Sequence, residues 1–460
     1  MRLCGPGGEE TTGAVPAVTE QYGLPFWLDV TRPTFPALDG DLDADVAIVG
    51  GGIAGLKLAR CLARHFSRVA LIGAGRIGDG ASGRNQGTIN HAPGLSYAEC
   101  VHRYSRPVAR ALWRLGLENH RLLRAQLEEY AIECDYEAGG MFLLARRDAA
   151  GFATTLEQYR TDHALLLEDG FAVALLDEPE AVERGGSPLF AGGLAYLADA
   201  QFHSGKYITG LALGISRDRR IRLVERTRVH AIVRDGSAVR VATGHGSVLA
   251  SRVFLATNAL APQLVPALEP RLRAERGQVL VTEPLPVRPC RGSFGTSMAW
   301  WRDIVETDGR YRLLFGGGRS RDTPDSLFRQ FDAKGKPHPE LERGGFSPSP
   351  EHQQRLDTEL RKIFPALAGA RVTHRWGGLQ CFTADELPLF GLFDPAARIH
   401  GMAGFSGRGN CFADVGAEFL AGKAAGVTSE IERRFGALFE PLMAVERPAA
   451  VWGAWRSSHD

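Results

Sequence analysis

Cysteine is scarce and widely dispersed in this chain. Its 460 residues include seven cysteines, and no two of them form a C-x-x-C pair. Zinc ribbons and dithiol redox centres are therefore disfavoured, and we expect no metal site and reduced thiols, as in a cytoplasmic protein. The chain also lacks an H-E-x-x-H motif and a serine–histidine–aspartate order, so neither a zinc protease nor a triad hydrolase is indicated.

Long apolar runs and a strong net charge are absent as well. No run of ~18 apolar residues occurs, so no membrane span is predicted, and the first residues, MRLCGPGGEETTGAV, lack the apolar core of a secretory signal. The formal net charge of +1 gives no overall attraction to nucleic acid or anionic membranes. We predict a cytoplasmic protein whose residues 1–43 are a leader and lead-in segment, with the first ordered element near Asp45.

A glycine-rich turn stands between a predicted strand and a predicted helix. The apolar residues 46–49 suit a buried parallel strand, a helical pattern runs from Ile53 to about His65, and residues 69–72 form a second apolar run. This β–turn–α–β order with G-x-G-x-x-G is typical of a dinucleotide site, because glycines permit the tight turn and close approach of a pyrophosphate. The predicted contacts are Gly50, Gly51, Gly52, Ile53, Ala54 and Gly55.

The acidic residue that usually binds the ribose hydroxyls is missing. It is expected ~20 residues after the glycine motif, but no Asp or Glu occurs between Val46 and Gly78, and the second strand is followed by Gly73-Ala74-Gly75-Arg76. Three interpretations are open. Arg76 holds a 2′-phosphate, which would indicate NADP; or FAD binds more weakly, with its ribose held by backbone or water; or the site has lost its nucleotide.

The next segment, from Arg76 to Gly87, has the sequence R-I-G-D-G-A-S-G-R-N-Q-G. With the preceding turn it resembles the D-amino-acid oxidase-like FAD oxidoreductases, which include glycine and sarcosine oxidases, and within them the γ-glutamylputrescine oxidase branch. The family pattern has a glutamate where this chain has Gly73, and it includes Arg76, which weakens the NADP interpretation. The similarity covers residues 27–425, with further matches at residues 255–259, 281–284, 314–318, 376–378 and 401–409.

The resemblance implies an α/β fold in which a Rossmann-like FAD domain is interleaved with an antiparallel-sheet α+β substrate domain. We assign residues 44–108, 186–265 and 370–435 to the FAD domain, residues 109–185 and 266–369 to the substrate domain, and residues 436–460 to a C-terminal tail. Periodicity and turn residues predict helices at 109–129 and 351–364, strands at 141–145, 229–233, 239–242, 252–257, 279–282 and 312–315, and a surface loop at 332–350.

The resemblance also implies which residues bind the flavin nucleotide. The loop from Ser82 to Gly87 would bring hydroxyl, guanidinium and backbone N–H groups to the pyrophosphate and flavin. The turn from Gly404 to Asn410 opens what we take as the last helix. Its N-terminus, with Arg408, would stabilise negative charge at the flavin pyrimidine edge; the alternative is a helix cap with a solvent-facing arginine. The remaining predicted cofactor contacts are Gly73, Ala74, Arg76, Ser82, Gly83, Arg84, Asn85, Gln86, Gly87, Val229, Thr257, Asn258, Gly404, Ser406, Gly407, Arg408, Gly409 and Asn410.

Four side chains are candidate catalytic residues: Arg408, Arg302, Trp376 and His91. By their position in the family pattern, Arg302 would clamp a substrate carboxylate and Trp376 would cage an amine cation; the alternatives are a surface arginine and a core tryptophan. His91 lies in a run that resembles the segment of dimethylglycine dehydrogenases whose histidine carries FAD covalently. His91 therefore attaches FAD, acts in the site without a bond, or has a structural packing role, and noncovalent FAD is the expectation.

The predicted reaction is hydride transfer to flavin N5 from the carbon next to a neutral amine, in a small amine or amino acid. The imine then hydrolyses, and oxygen or another acceptor reoxidises the flavin. Three alternatives are kept: a flavoenzyme of the same fold acting on a 2-hydroxy acid, an NADP-dependent dehydrogenase, and a redox-silent scaffold or subunit that has lost its cofactor.

Overall fold

The computed structural model describes residues 20–317 and 346–443, which form two large mixed sheets and the helices that cover them. No helix within these two ranges is both long enough and apolar enough to cross a bilayer. The helices are α1 (Ile53–Leu62), α2 (Tyr97–Arg103), α3 (Arg106–Glu129), α4 (Phe152–Glu168), α5 (Glu178–Gly185), α6 (Ser204–Ser216), α7 (Pro350–Ile363), α8 (Gly409–Ala425) and α9 (Glu430–Met443). The strands are β1 (Gln21–Tyr22), β2 (Leu42–Val49), β3 (Val69–Ile72), β4 (Thr88–Ile89), β5 (Met141–Arg146), β6 (Val173–Leu176), β7 (Phe190–Tyr196), β8 (Ala200–Gln201), β9 (Ile221–Val224), β10 (Val229–Asp235), β11 (Ala238–Thr243), β12 (Gly246–Leu255), β13 (Arg273–Thr282), β14 (Ser293–Gly295), β15 (Ala299–Val305), β16 (Tyr311–Gly317), β17 (Val372–Phe382), β18 (Leu389–Asp394) and β19 (Ile399–Ala403).

The eight-stranded sheet provides the edge at which the predicted cofactor residues gather. Its order is β10–β11–β12–β2–β3–β9, and β19, paired with β18, joins beside β12. Strands β12, β2, β3, β9 and β19 run parallel, and β3 is buried along its whole length, as in a parallel sheet covered on both faces. The carboxyl ends of these strands meet at one edge, which is where open α/β sheets bind ligands.

Helix α1 packs very closely against the strand that precedes it, which confirms the predicted strand–turn–helix order. A Cβ atom on Gly55 would overlap the carbonyl oxygen of Gly50, so only glycine permits this approach. Leu56, Leu58 and Leu62 are fully buried beneath the helix. Their burial explains the apolar face that the sequence shows after the glycine turn.

The nine-stranded sheet has the order β1–β17–β13–β16–β15–β14–β5–β7–β6. Its pairs are antiparallel except β1 with β17 and β14 with β5. The two longest strands, β13 and β17, pair from Arg273–Phe382 to Thr282–Val372. The antiparallel sheet that we expected beside the parallel one is therefore present, and β17 is the strand that reaches furthest along it.

The chain takes on structure earlier than we predicted. Strand β1 pairs with β17, and a 3-10 turn at Phe26–Leu28 buries the Trp27 indole completely. The expectation that the first ordered element lies near Asp45 is therefore wrong. This segment has no helical or strand period, and its burial arises only from contacts with distant parts of the chain.

Several predicted boundaries also differ from the structure. Strand β7 follows the boundary at 186 and β17 follows that at 370, yet both pair within the nine-stranded sheet. Helix α9 spans the boundary at 436, so α8 is not the last helix. A strand's alternation shows that it has a buried face but not which sheet it joins, which explains these differences. Most of the predicted loop at 332–350 lies outside the described residues.

The other predicted elements overlap observed ones. Residues 109–129 fall within α3 and residues 351–364 correspond to α7, while the six predicted strands fall on β5, β10, β11, β12, β13 and β16. Helix α3 packs against α8, although we assigned these helices to different domains. The apolar periodicity of α3 therefore predicted the helix correctly but not its partner.

A buried polar cluster joins α1, α3 and α8. The Lys57 ammonium forms an ion pair with the Asp414 carboxylate, and both side chains are about 1% exposed. The Gln126 amide on α3 donates to the other oxygen of Asp414. Burial lowers the pKa of Lys57, and the adjacent Asp414 charge opposes that shift. The ion pair thus balances two charges that water does not reach.

We predict that Lys57→Met destabilises the protein by about 3–5 kcal/mol, because Asp414 is left buried without its cation. The double variant Lys57→Met/Asp414→Leu should recover more than half of that loss, since apolar side chains of similar size need no partner. Urea unfolding followed by tryptophan fluorescence measures both values. A single variant as stable as wild type would show that the pair contributes nothing.

Candidate cofactor and substrate site

The glycine turn after β2 lies at the carboxyl edge of the parallel strands. Gly50 has φ +125°, a left-handed value that favours glycine, and a Cβ there would lie 2.5 Å from the carbonyl oxygen of Ala256 at the end of β12. Gly52 is the N-cap of α1, whose first turn has neither a side-chain cap nor an acidic residue. Residues 50–55 therefore present helix amides without intrahelical acceptors at this edge, as a diphosphate site requires.

Gly73, where an acid was expected, is enclosed by backbone. Its N–H donates to the last carbonyl of β9 (2.8 Å), and the N–H of Thr227 donates to its carbonyl oxygen (2.9 Å). A Cβ on Gly73 would lie 3.3 Å from the carbonyl oxygen of Gly75. Ala74 is exposed beside it, and Val229 begins β10 two residues after Thr227. The structure thus brings Gly73, Ala74 and Val229 together. Because position 73 is a glycine, no carboxylate is present there to bind a ribose.

Arg76 is held by the lead-in segment. Its Nη2 donates to the carbonyl oxygens of Arg32 (2.8 Å) and Pro33 (3.0 Å), and its backbone N–H donates to Asp79. A guanidinium placed against two carbonyl groups is not poised to clamp a 2′-phosphate. The NADP interpretation therefore loses the residue on which it rested.

The loop that follows contributes a hydroxyl to the α1 N-terminus, and two residues later it carries the half-buried Arg84. Ser82 Oγ accepts a hydrogen bond from the N–H of Ile53 (2.9 Å), and the buried Gly83 follows it. The Arg84 guanidinium donates to the carbonyl oxygens of Asp79 (2.8 Å) and Gly377 (3.0 Å). Burial lowers the pKa of Arg84 to about 10, so the guanidinium remains charged at neutral pH.

The side chains of Asn85 and Gln86 bond to protein groups, and the predicted contacts of these residues with the cofactor stay a prediction. The Asn85 amide donates to the Ser82 carbonyl (2.7 Å) and accepts from the N–H of Gly87 (2.7 Å). Gln86 Nε2 donates to Ser293 Oγ (3.1 Å) and to two backbone carbonyls of the nine-stranded sheet. These side chains hold the shape of the loop and join it to the second sheet.

A second group of predicted residues meets the first at the end of β12. Asn258, with φ +48°, accepts a hydrogen bond at Oδ1 from the N–H of Gly404 (2.9 Å). The N–H of Ser406, also at φ +48°, donates to the carbonyl oxygen of Cys381 on β17 (2.8 Å). The buried Thr257 Oγ1 has no hydrogen-bond partner within the described residues. The turn at 404–407 is thereby fixed between the two sheets.

Helix α8 begins directly after this turn. Gly407 has φ +79°, the half-buried Arg408 is the N-cap, and Gly409 is the first helical residue. Asn410 Nδ2 donates to the carbonyl oxygen of Thr88, one residue after the loop at 82–87 (3.0 Å). Two helix N-termini, those of α1 and α8, therefore flank the same loop.

Arg302 has a different environment from the one we expected. Its side chain is 4% exposed, Nη1 donates to the carbonyl oxygens of Gly87 and Phe202 (both 2.9 Å), and Nε donates to that of Asp303 (3.0 Å). The guanidinium also lies over the Trp27 ring. Arg302 holds the end of the loop and is not placed as a carboxylate clamp, because burial and backbone bonds occupy it.

Trp376 and Trp301 are core tryptophans. Each is fully buried, and the Trp376 Nε1–H donates to the carbonyl oxygen of Arg84 (3.0 Å). Trp301 stacks on Phe190 and Phe294. The burial of Trp376 matches the core alternative that the sequence left open, and the cage for an amine cation stays an untested prediction.

His91 lies in the interior next to α3. It is 1% exposed, its Nδ1 bonds to the buried Asp199 carboxylate, and its ring packs against Phe171 and Tyr196. A Cβ on Gly116 of α3 would overlap the carbonyl oxygen of His91. Of the three roles that the sequence left open, this environment matches structural packing, and the covalent role would need an accessible imidazole.

Gln380 is a residue that the sequence interpretation missed. On β17 it shares a face with Trp376 and Gly378, both of which contact Arg84. Its buried Oε1 has no hydrogen-bond partner within residues 20–317 and 346–443, and its Nε2 lies 3.7 Å from the Cβ position of Gly407. The two-residue period after Trp376 is the sequence signal that could have indicated it.

The comparisons with known proteins agree with this geometry. The family profile described as "FAD dependent oxidoreductase" (DAO) matches residues 45–422, which include the glycine turn, the loop at 82–87 and most of α8. The chain belongs to this family. This FAD-dependent oxidoreductase is therefore an enzyme of the class that we predicted, and the alternatives of an NADP-dependent dehydrogenase and a redox-silent scaffold are set aside.

Individual relatives include bacterial oxidoreductases. The chain is 29% identical to the probable oxidoreductase OrdL of Rhizobium meliloti over 417 residues, covering 88% of this chain and 89% of the relative. It is 30% identical to the gamma-glutamylputrescine oxidoreductase of Escherichia coli over 393 residues, covering 82% of each. The glycine oxidase structure from Geobacillus kaustophilus has a TM-score of 0.68 at 21% identity, covering 85% of this chain and 96% of the other, which shows the shared fold.

The residues at the glycine turn fit the FAD that the family requires. The first turn of α1 lacks an acid that would repel a diphosphate, and the charged Arg84 guanidinium is bonded to neutral carbonyls near that helix end. An anion is favoured at such a helix N-terminus. Residues 50–55, Ser82 and Arg84 would therefore hold the diphosphate.

We predict that Trp376→Phe lowers stability by about 1–3 kcal/mol, because the carbonyl oxygen of Arg84 is left buried without a donor. The KM for the substrate should change by less than about twofold, as expected for a residue that makes no substrate contact. Urea unfolding and steady-state kinetics measure the two effects. A large rise in KM at unchanged stability would support the amine cage at Trp376 instead.

Proposed function

We propose that this flavoenzyme oxidises the C–N bond of a small amine or amino acid, and that the resulting imine hydrolyses. Relatives whose names specify a substrate, the gamma-glutamylputrescine oxidoreductase and glycine oxidases, support this class. The observation in this chain that carries the proposal is the buried Oε1 of Gln380, which has no hydrogen-bond partner among the described residues. The Gln380 side chain lies between Gly277 of β13, near which Oε1 is placed, and Gly407 in the α8 turn, near which Nε2 is placed. A buried acceptor without a donor costs free energy, and an amine N–H of the substrate supplies the missing donor.

FAD, when bound, supplies the hydride acceptor at N5, and oxygen or another acceptor takes the electrons from it. The protein orients the substrate C–H bond and keeps water away. The N-terminus of α8, with Arg408, would supply positive charge that stabilises negative charge at the flavin pyrimidine edge. This role for Arg408 is part of the proposal, and its half-buried position at the N-cap supports it.

An amine without a carboxylate on the reacting carbon is favoured over an α-amino acid. Arg302, the carboxylate clamp that we expected, is bonded to three backbone carbonyls. Gln380 is neutral and can accept from an N–H, but it cannot neutralise a carboxylate. A substrate without a carboxylate needs no cation from the protein, so the Arg408 charge is available for the flavin.

The proposal predicts that anaerobic addition of a small amine bleaches the flavin absorbance, while 2-hydroxy acids of the same size leave it unchanged. Gln380→Leu, which keeps the volume but removes the acceptor, should weaken amine binding by about tenfold or more, since one hydrogen bond is lost and a donor is left unpaired. Stopped-flow reduction with a panel of amines, amino acids and 2-hydroxy acids provides the measurement. A panel in which only hydroxy acids reduce the flavin would contradict the proposal.

Noncovalent attachment of FAD is also part of the proposal. The buried His91 imidazole is bonded to Asp199 and surrounded by aromatic rings, which supports packing over attachment. A carboxylate partner fixes the orientation of an imidazole, and an inaccessible ring cannot reach a cofactor methyl group.

We therefore predict that acid precipitation of the purified yellow protein releases all of its flavin to the supernatant. His91→Ala should lower thermal stability by ~1–3 kcal/mol, because it removes ring packing and one of the two hydrogen bonds to the buried Asp199 carboxylate. Absorbance of the pellet and of the supernatant decides the point. Flavin that stays in the wild-type pellet and disappears from the His91→Ala pellet would demonstrate the covalent bond instead.

A further inference from the structure

A buried asparagine on α3 is bonded to the first turns of α8. Asn119 is fully buried, and its Oδ1 accepts hydrogen bonds from the backbone N–H groups of Asp414 (2.8 Å) and Val415 (3.3 Å). Its Nδ2 donates to the backbone carbonyl oxygen of Asn410 (2.7 Å). One side chain therefore satisfies both a carbonyl and two amides of a neighbouring helix.

Asn119 bonds to a backbone N–H and a backbone carbonyl that would pair with each other in a regular α-helix. In an α-helix the N–H of residue i donates to the carbonyl of residue i−4, which here pairs Asp414 with Asn410. Asn119 bonds to both partners of that pair. A side chain that bonds to both members of a ladder pair ties them to its own helix, so α3 constrains the turn formed by residues 409–413.

The same turn is tied to the loop at residues 82–87. Asn410 Nδ2 donates to the carbonyl oxygen of Thr88 (3.0 Å), and Thr88 Oγ1 bonds to Ser293 Oγ (2.7 Å) on the nine-stranded sheet. The contacts from Asn119 through Asn410 to Thr88 thus form a continuous connection from α3 to the loop. A shift of the α8 turn would therefore also move the loop at residues 82–87 on the other side of the cofactor site.

We propose that Asn119 is a positioning residue that aims the first turn of α8 at the flavin. The inference rests on the proposed function in one respect, namely that this helix N-terminus faces the flavin pyrimidine edge. The field of a helix terminus acts mainly through its last turn. A tilt of that turn therefore changes how strongly the protein stabilises the reduced flavin relative to the oxidised one.

Asn119→Leu keeps the size of the side chain and removes all three hydrogen bonds. In this variant the backbone amides of residues 410–415 should exchange with deuterium at least about tenfold faster. The reason is that local unfolding of this turn no longer requires breaking the hydrogen bonds to Asn119. The ratio of the dissociation constants for oxidised and reduced FAD should also change by about tenfold, which corresponds to about 30 mV for a two-electron couple. Exchange mass spectrometry of the apoprotein and a redox titration of the holoprotein measure the two effects.

Gln126→Leu is the matched control. Gln126 lies seven residues further along α3 and bonds to the Asp414 side chain, so its loss disturbs the α3–α8 contact without touching the ladder. The exchange rates of residues 410–413 should then stay within about twofold of wild type. The flavin potential should stay within a few millivolts, as expected for an independent site. Should Asn119→Leu not accumulate as folded protein, Asn119→Ser provides the same two readings.

Three outcomes distinguish the ideas. A potential that moves in Asn119→Leu but not in Gln126→Leu supports the inference. An unchanged potential in Asn119→Leu, together with a lowered potential in Arg408→Ala, overturns the inference and leaves the proposed function intact. Unchanged potentials in Asn119→Leu and Arg408→Ala overturn the inference and the proposed role of Arg408 at the flavin together, because α8 then does not face the flavin; amine oxidation itself is decided by the substrate panel.

Discussion

The close approach between the glycine turn and the parallel sheet is the constraint on which the site depends. Gly50 lies so near the end of β12 that a side chain there would meet the carbonyl oxygen of Ala256, and Gly55 lies directly against the Gly50 carbonyl. These close contacts hold α1 against β2 and place the N-terminus of α1 at the carboxyl edge of the parallel strands. A helix end placed there concentrates partial positive charge where a diphosphate must bind.

The loop at residues 82–87 is shaped mainly by the second sheet. Its carbonyl groups receive hydrogen bonds from Trp376, Trp27 and Arg302, and its Gln86 side chain bonds to β14 and β15. Buried arginines that bond to neutral carbonyls keep their charge, and an anionic cofactor can neutralise part of it. The loop thus combines rigidity with a positive potential, and both favour tight binding of a dinucleotide.

A polar layer inside the helices complements the two sheets. Lys57, Gln126 and Asn119 all bond to the part of α8 around Asp414. Apolar helix faces slide past one another at little cost, whereas directional hydrogen bonds define one register. This layer fixes the position of the α1 N-terminus relative to that of α8. Because these two helix ends flank the loop, the layer also fixes the two ends of the cofactor site relative to each other.

The sequence alone determined the family, the glycine turn, the loop and most of the elements, because these depend on local spacing and on motifs that a single segment contains. It also located the missing acid at Gly73. What it could not supply was the partner of each side chain. Arg302, Trp376 and His91 were predicted as site residues, but the structure buries their side chains among protein groups.

The tertiary structure decided those orientations for a physical reason. Whether an arginine or an indole meets ligand or backbone depends on which distant carbonyl lies beside it, and residues such as Gly87 and Arg84 are hundreds of positions away from Arg302 and Trp376. The same holds for Gln380 and Asn119. Their significance lies in an oxygen that has no partner among the described residues and in an amide that bonds to a neighbouring helix. Local patterns specify elements, whereas hydrogen-bond partners between elements are specified only when the chain has folded.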